Sequence, residues 1–202
     1  GSIALLSAMR DIEAGHYELA CVLGIEYMRN VDGKTGAEHL GAAAWIGKEA
    51  TDCTYPWPHM FDLVIDEYDK RHGINCDHLK EISKVNFSNG RLNPNGQTRN
   101  WDFQEEHYSD NDEFNPSIEG RIRRMDCGQI TDGAACVFLA SESAAKEYAL
   151  KHKLKLSDIP RIKGWGHRSS TMSLESKLAL SEGNPLVFPH VAQIMKDALN
   201  LL

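Results

Sequence analysis

Two short, unbroken apolar runs limit what this chain can fold into: "LACVLGI" at residues 19–25 and "GAACVFLA" at residues 133–140. Each has the length of a strand and is flanked by glycine or polar residues, and continuous rather than alternating hydrophobicity is the pattern of a strand buried on both faces. Such strands occur in sheets sandwiched by helices, and the helical periodicity that precedes the first run (Ile3, Leu5, Leu6, Met9, Ile12) predicts a helix feeding a parallel α/β sheet. On this reading Cys21 and Cys136, both inside the runs, are core residues.

The first helix is expected to stop near Gly15, where glycine supplies the left-handed cap. Residues 30–58, punctuated by glycine and proline, read as a loop with one short helix. "MFDLVIDEYDKRHG" sets Met60, Phe61, Val64, Ile65 and Tyr68 on one side of a helix ending at Gly73, and a second helix follows through "NCDHLKEISKVNFSNGR". Residues 91–120 are polar and rich in Asn, Gly and Pro, which predicts a long functional or mobile loop. Beyond the second apolar run, "SESAAKEYALKHK" carries helix N-terminal chemistry and "IPRIKGWGHRS" reads as a further strand. A last helix runs from about Phe188 to Leu202, with Val191, Ile194, Met195, Ala198 and Leu202 as its apolar side.

A formal net charge of -7 argues against a broad nucleic-acid footprint, and "GRIRRM" reads as solvated surface. Five cysteines without a CxxC pair suggest neither a disulfide framework nor a zinc ribbon, and favour a reducing compartment. No apolar run approaches the ~20 residues of a membrane span. The nearest Cys/His groupings, Cys76 with His78 and Cys53 with His59, match no common ligand framework, so no metal is expected. His72 at a helix end suits the helix dipole, and His167 reads equally as a loop residue or a ligand contact. Dinucleotide, phosphate-loop and serine-elbow motifs are absent. Cys127 invites a nucleophile reading, but a strand rather than a helix follows it, which favours a packed loop cysteine. In the "TDGAA" turn, Gly133 permits close backbone approach and Asp132 can bond the turn's own amides.

Together these segments resemble a family. "DCGQITDGAACVFLASESAAKEYA" is similar to the thiolase segment in which an Asp-Gly-Ala-Ala turn leads into a core strand. "GSIALLSAMRDIEAGHYELACVLGIEYM" resembles the helix and strand that follow the thiolase nucleophile. "MFDLVIDEYDKRHGINCDHLKEISKVNFSNGRLNPNGQTR" looks like the thiolase loop domain. "NPNGQTR", with no "GTTAE", points to the branch containing sterol-carrier-protein-type thiolases and bacterial acetyl-CoA acetyltransferases.

The resemblance implies a partial α/β thiolase fold, layered αβαβα, with an inserted, mostly helical loop domain. Residues 1–50 would end the N-terminal core, 51–125 form the loop domain, and 126–202 return to the core and begin the second half. It implies acyl transfer between a coenzyme A thioester and an acceptor through a cysteine acyl-enzyme. By the same resemblance the nucleophilic cysteine would lie three positions before Gly1, and the catalytic histidines and second cysteine beyond Leu202. The chain would then hold no catalytic residue.

What the resemblance carries over is part of the CoA channel: Arg71 and His72 where the loop domain reaches CoA, and Gly128, Ile130 and Thr131 on the turn beside the pantetheine arm. Gly128 stands where classical thiolases have a serine, which puts that hydrogen bond in doubt. CoA or acyl-CoA is the implied substrate, with no tightly bound cofactor. The implied partners are a second copy of the chain in a homodimer or higher homo-oligomer and an OB-fold protein, without nucleic acid or membrane. The implied location is cytoplasmic, or peroxisomal in a eukaryote. The alternatives are a non-catalytic thiolase-like acyl-CoA- or lipid-binding or scaffold protein, and a condensing enzyme acting on acyl carrier protein.

Overall fold

A computed structural model describes residues 1–200. Helix α1 (Ser2–Glu13) ends as its sequence demands: Gly15 takes φ 77°, its N–H donates to Ile12 O at 3.0 Å, and the His16 N–H donates to Asp11 O at 2.9 Å. That is the paired bonding of a Schellman cap. Strand β1 (Leu19–Glu26) follows, then α2 (Gly33–Gly41), α3 (Ile46–Glu49), α4 (Pro56–His72) and α5 (Cys76–Leu92). A small hairpin of β2 (Ser117–Glu119) and β3 (Ile122–Arg123) precedes β4 (Gly133–Ala140), α6 (Glu142–His152), α7 (Leu174–Leu180) and α8 (Pro189–Leu199). This mixture of helices and small sheets fits a partial α/β thiolase-like fold.

The two apolar runs are strands, but they pair with each other, and the pairing is antiparallel, from Leu19 opposite Ala140 to Glu26 opposite Gly133. The parallel arrangement expected from a helix feeding a strand is therefore corrected: the neighbour of β1 comes from the far end of a long excursion, and its direction was not encoded in either run. Burial is corrected as well. Ala20, Val22 and Leu139, on the face toward α1, are half-buried. On the opposite face Leu23, Ile25 and Phe138 are 57, 71 and 67% exposed, and Cys21 and Cys136 are exposed with them rather than in the core. An apolar run shows what a strand tolerates, not which layer covers it.

Residues 30–58 form two helices instead of one. Asp32 caps α2 by accepting the Lys34 and Thr35 N–H groups at 3.0 Å, and these bonds hold its carboxyl below the usual aspartate range, the Thr35 N–H contributing most. Helix α4 begins at Pro56, and the chain that enters it is held from a distance. Glu119 Oε1 on β2 accepts from Thr54 N at 2.8 Å and Tyr55 N at 2.9 Å. Of the predicted apolar side of α4, Met60 is buried and Val64 and Ile65 half-buried, whereas Phe61 and Tyr68 are exposed.

The polar stretch 91–120 is better organised than its composition suggests. Phe103 packs against Phe87 at 4.9 Å and Trp101 at 6.1 Å between ring centroids. The buried Asn115 accepts from Met125 N and donates to Ser109 O, both at 3.0 Å. Residues 160–171, expected to contain a strand, form no ladder. They lie instead against helices, with Gly166 pressed on the Ile194 carbonyl, Trp165 under Arg10, and Arg168 paired to Asp197. Helix α8 confirms the last periodic segment as far as Leu199, and Leu202 lies outside the described residues. Among the described residues no helix is long and apolar enough to cross a membrane.

The β2–β3 hairpin docks on α4 through three aspartates one turn apart. Asp62 accepts the Arg121 N–H at 2.7 Å, while Asp66 and Asp69 accept its guanidinium at 2.5 and 2.9 Å. Gly120 makes this possible: it holds φ 53°, and an added Cβ would overlap the Asp62 carboxylate. Gly120→Ala is expected to destabilise the chain by about 2–4 kcal/mol, combining left-handed strain with steric conflict. Urea unfolding of the variant beside the parent chain measures it.

Candidate functional site

Helix α5 places Leu79, Ile82, Ser83, Asn86 and Phe87 on one face, the i, i+3, i+4, i+7, i+8 series of a single helical stripe. Opposite them run Asn95, Gln97 and Thr98 from the loop after α5, and the segment from Met125 to Gly133 that enters β4. Between these walls lies a cleft of about 600 Å³, within the range of small-molecule sites.

The cleft's rim is tied by Asp132. Its carboxylate accepts the Arg29 N–H at 2.8 Å, and its carbonyl accepts from the Gln97 side-chain amide. The "TDGAA" turn is thereby held from both sides, by the segment after β1 and by the "NPNGQTR" loop. No lysine, arginine or histidine lines the cleft. Its two carboxylates, Asp126 and Asp132, are both engaged with backbone N–H groups, Asp126 through Arg123 N at 2.9 Å. The remaining lining is apolar on one side and neutral amide or hydroxyl on the other.

Cys127 lies in this lining, its Sγ 3.5 Å from the Arg123 carbonyl oxygen. Burial pushes its thiol up, and the Asp126 charge adds to the rise. The protonated thiol donates to a carbonyl, and no histidine lines the cleft to serve as a base. Chemically the site suits ligand binding better than nucleophilic attack. Among the described residues, no group of three or more His, Cys, Asp or Glu side chains is placed to hold a metal ion.

The residues singled out from the sequence fall in three places. Gly128 and Thr131 line the cleft. Ile130 points away and packs toward Gly36 of α2, where an added Cβ would come 3.8 Å from its Cδ1. Arg71 and His72, at the end of α4, form a separate clasp. The Arg71 guanidinium donates to Glu67, to the carbonyls of Ser181, Asn184 and Leu186 at 2.9–3.2 Å, and to Ser181 Oγ at 3.0 Å. His72 Nε2 meets Pro185 O at 2.7 Å. Ser181 is fully buried and the Arg71 side chain only 12% exposed, so the guanidinium is occupied by the turn between α7 and α8. The α5 stripe and the Asn95, Gln97 and Thr98 contribution were missed in the sequence, although the helical periodicity and the "NPNGQTR" motif both signalled them.

No protein-family model matches the sequence. Among curated proteins, an acetyl-CoA acetyltransferase of Methanothermobacter thermautotrophicus is 24% identical over 88% of this chain and 42% of its own length. Another from Methanocaldococcus jannaschii is 25% identical over 90% of the chain and 43% of its own. Sterol carrier protein 2 of Oryctolagus cuniculus is 29% identical over 76% of the chain and 28% of its own length. The chain is thus similar to acetyl-CoA acetyltransferases and to sterol carrier protein 2. It spans less than half the length of these curated relatives. Two of the segments in which the sequence resembles thiolases, "NPNGQTR" and "GQITDGAA", are joined at the cleft rim by Gln97 and Asp132.

Two outcomes are expected. Arg71→Ala removes the donor to the buried Ser181 hydroxyl and to the Asn184 and Leu186 carbonyls, the Ser181 carbonyl keeping the Asn184 N–H, and lowers unfolding free energy by about 2–4 kcal/mol. Arg71→Lys restores less than half, because a single ammonium cannot span the fork; chemical denaturation reads both. Cys127 reacts with iodoacetamide at pH 7.5 more slowly in the folded chain than in urea, followed by peptide mass spectrometry.

Proposed function

We propose that the α5–turn cleft receives the pantetheine arm and acyl group of an acyl-CoA, and that the chain supplies scaffold and part of the CoA channel of a thiolase-type acyltransferase. The supporting observation is the cleft's lining: apolar Leu79, Ile82, Phe87 and Met125 face amide and hydroxyl groups of Asn86, Asn95, Gln97, Gln129, Thr98 and Thr131, with no cation among them and with both carboxylates, Asp126 and Asp132, taken up by backbone N–H groups. A pantetheine arm is uncharged, carries two amides and ends in a thioester with an apolar chain. A nucleotide phosphate would call for arginine or lysine. The names of the relatives, acetyl-CoA acetyltransferase and sterol carrier protein 2, support the same substrate class.

On this proposal residues 1–50 and 126–202 are core and 51–125 the loop domain, the parent assembly is a homodimer, and acyl transfer runs through a cysteine other than Cys127. Arg71 serves the clasp and reaches CoA only by leaving it. A second reading, acyl-CoA binding without turnover, is favoured by the lack of a thiolate–histidine pair at the cleft. Acid-stable, hydroxylamine-labile labelling of the parent assembly by radioactive acetyl-CoA, on a cysteine outside residues 1–202, separates the two. An acyl adduct on Cys127 would sink both.

Gly128 lines the cleft and nothing lies within 4 Å of where its Cβ would stand, so a bulky side chain there can be added at the cleft without disturbing packing. Gly128→Phe is expected to weaken binding of acetyl-pantetheine by about tenfold or more, equivalent to about 1.4 kcal/mol, in isothermal titration calorimetry. Equal affinity in the variant and the parent chain, or no binding to either at millimolar ligand, refutes the assignment.

A further inference from the structure

Cys21 and Cys136 approach each other to 3.2 Å between Sγ atoms, across the β1–β4 ladder and far from the cleft residue Cys127 in chemical setting. Their relation is diagonal, since Cys21 stands opposite Phe138 and Cys136 opposite Leu23. Both thiols are exposed, on the same face as Leu19, Leu23, Ile25, Ala134, Phe138 and Ala140. None of these apolar side chains offers a hydrogen-bond partner, so each thiol's polar neighbour on the face is the other thiol. The remaining cysteines are differently placed: Cys53 and Cys127 each donate to a backbone carbonyl, and Cys76 stands at the first turn of α5.

We propose that Cys21 and Cys136 form a thiol–disulfide exchange site that closes to a cross-strand disulfide on reaction with a small disulfide of the glutathione type. One cysteine, as its thiolate, attacks a sulfur of the oxidant, breaking that S–S bond and releasing one thiol. The second cysteine, having given its proton to solvent, attacks the protein-side sulfur of the mixed disulfide and releases the second thiol. Two S–H bonds are lost from the protein, one S–S bond forms, and the oxidant is reduced to two thiols. Closure must shorten the sulfur separation from 3.2 Å to the ~2.0 Å of a disulfide. Diagonal partners in an antiparallel pair stand farther apart than direct ones, at or beyond the usual range for bridging, so closure moves the strand backbone and the bond is readily reduced. A reversible modification fits this geometry better than a permanent staple.

The test incubates the native 202-residue chain with graded mixtures of oxidised and reduced glutathione, quenches in acid, alkylates the remaining thiols and maps peptides by mass spectrometry. The expected result is loss of two alkylatable thiols, one peptide cross-link joining Cys21 to Cys136, and its reversal by excess reduced glutathione. Cys21→Ser should strand Cys136 as the mixed disulfide, Cys76→Ser should behave as the parent, and the pairing preference should vanish in urea. A cross-link to another cysteine, persistence of free thiols or mixed disulfides at both positions, or an unchanged preference in urea overturns the proposal.

Discussion

The antiparallel pairing of β1 with β4 is the constraint on which the rest depends. It joins segments separated by on the order of a hundred residues, and the entropy of closing a loop that long grows only slowly with its length, so the intervening excursion can be large if it is internally ordered. The ladder begins at Gly133 opposite Glu26 and so fixes where the 125–133 segment leaves the excursion. The Arg29 N–H then finds the Asp132 carboxylate beside the ladder's end. The cleft wall is an extension of this strand pairing.

Within the excursion, polar joinery does much of the work that a large core does elsewhere. Glu119 on the hairpin holds the two residues that lead into α4, and the Asp62, Asp66 and Asp69 row holds Arg121. Arg123 links Asp112 to the Asn115 carbonyl at 2.7 Å each. The carboxyls of Asp69 and Asp112 are held below the usual aspartate range, chiefly by their arginine partners. A depressed carboxyl contributes stability that is present above its unfolded pKa and disappears as pH falls through the folded one. This joinery therefore weakens in acid, below about pH 4.

Local structure was legible wherever a residue type dictates its own conformation. Gly15 and Gly73 end their helices at positive φ, and Ser141 opens α6 by accepting from Ala144 N at 3.2 Å. What the sequence could not carry was partnership. Continuous hydrophobicity in residues 19–25 says strand without saying antiparallel to residues 133–140, and residues 160–171 have strand-like content without a neighbour to pair with. The site divided similarly. Gly128 and Thr131 came from the resemblance and lie in the cleft, while Arg71 and His72, credited with the same role, close on the 181–186 turn. Nothing in their spacing distinguishes an arginine aimed at a phosphate from one that collects carbonyls.

The position of Cys127 shows why a cysteine beside a cleft need not react there. A thiolate nucleophile needs a neighbouring positive charge, a helix N-terminus or a base, and each lowers the cost of the anion. Cys127 has instead a carbonyl acceptor, burial and an adjacent carboxylate, all of which favour the proton staying on sulfur. The same protonated, apolar-sized side chain is well suited to lining a channel that must not capture a passing thioester. Neutral amides opposite can bond the arm of such a ligand, while a silent thiol lets its acyl end pass. Inertness at residue 127 is thus a property that the role proposed for the cleft requires, and it follows from the same turn geometry that shapes the cleft.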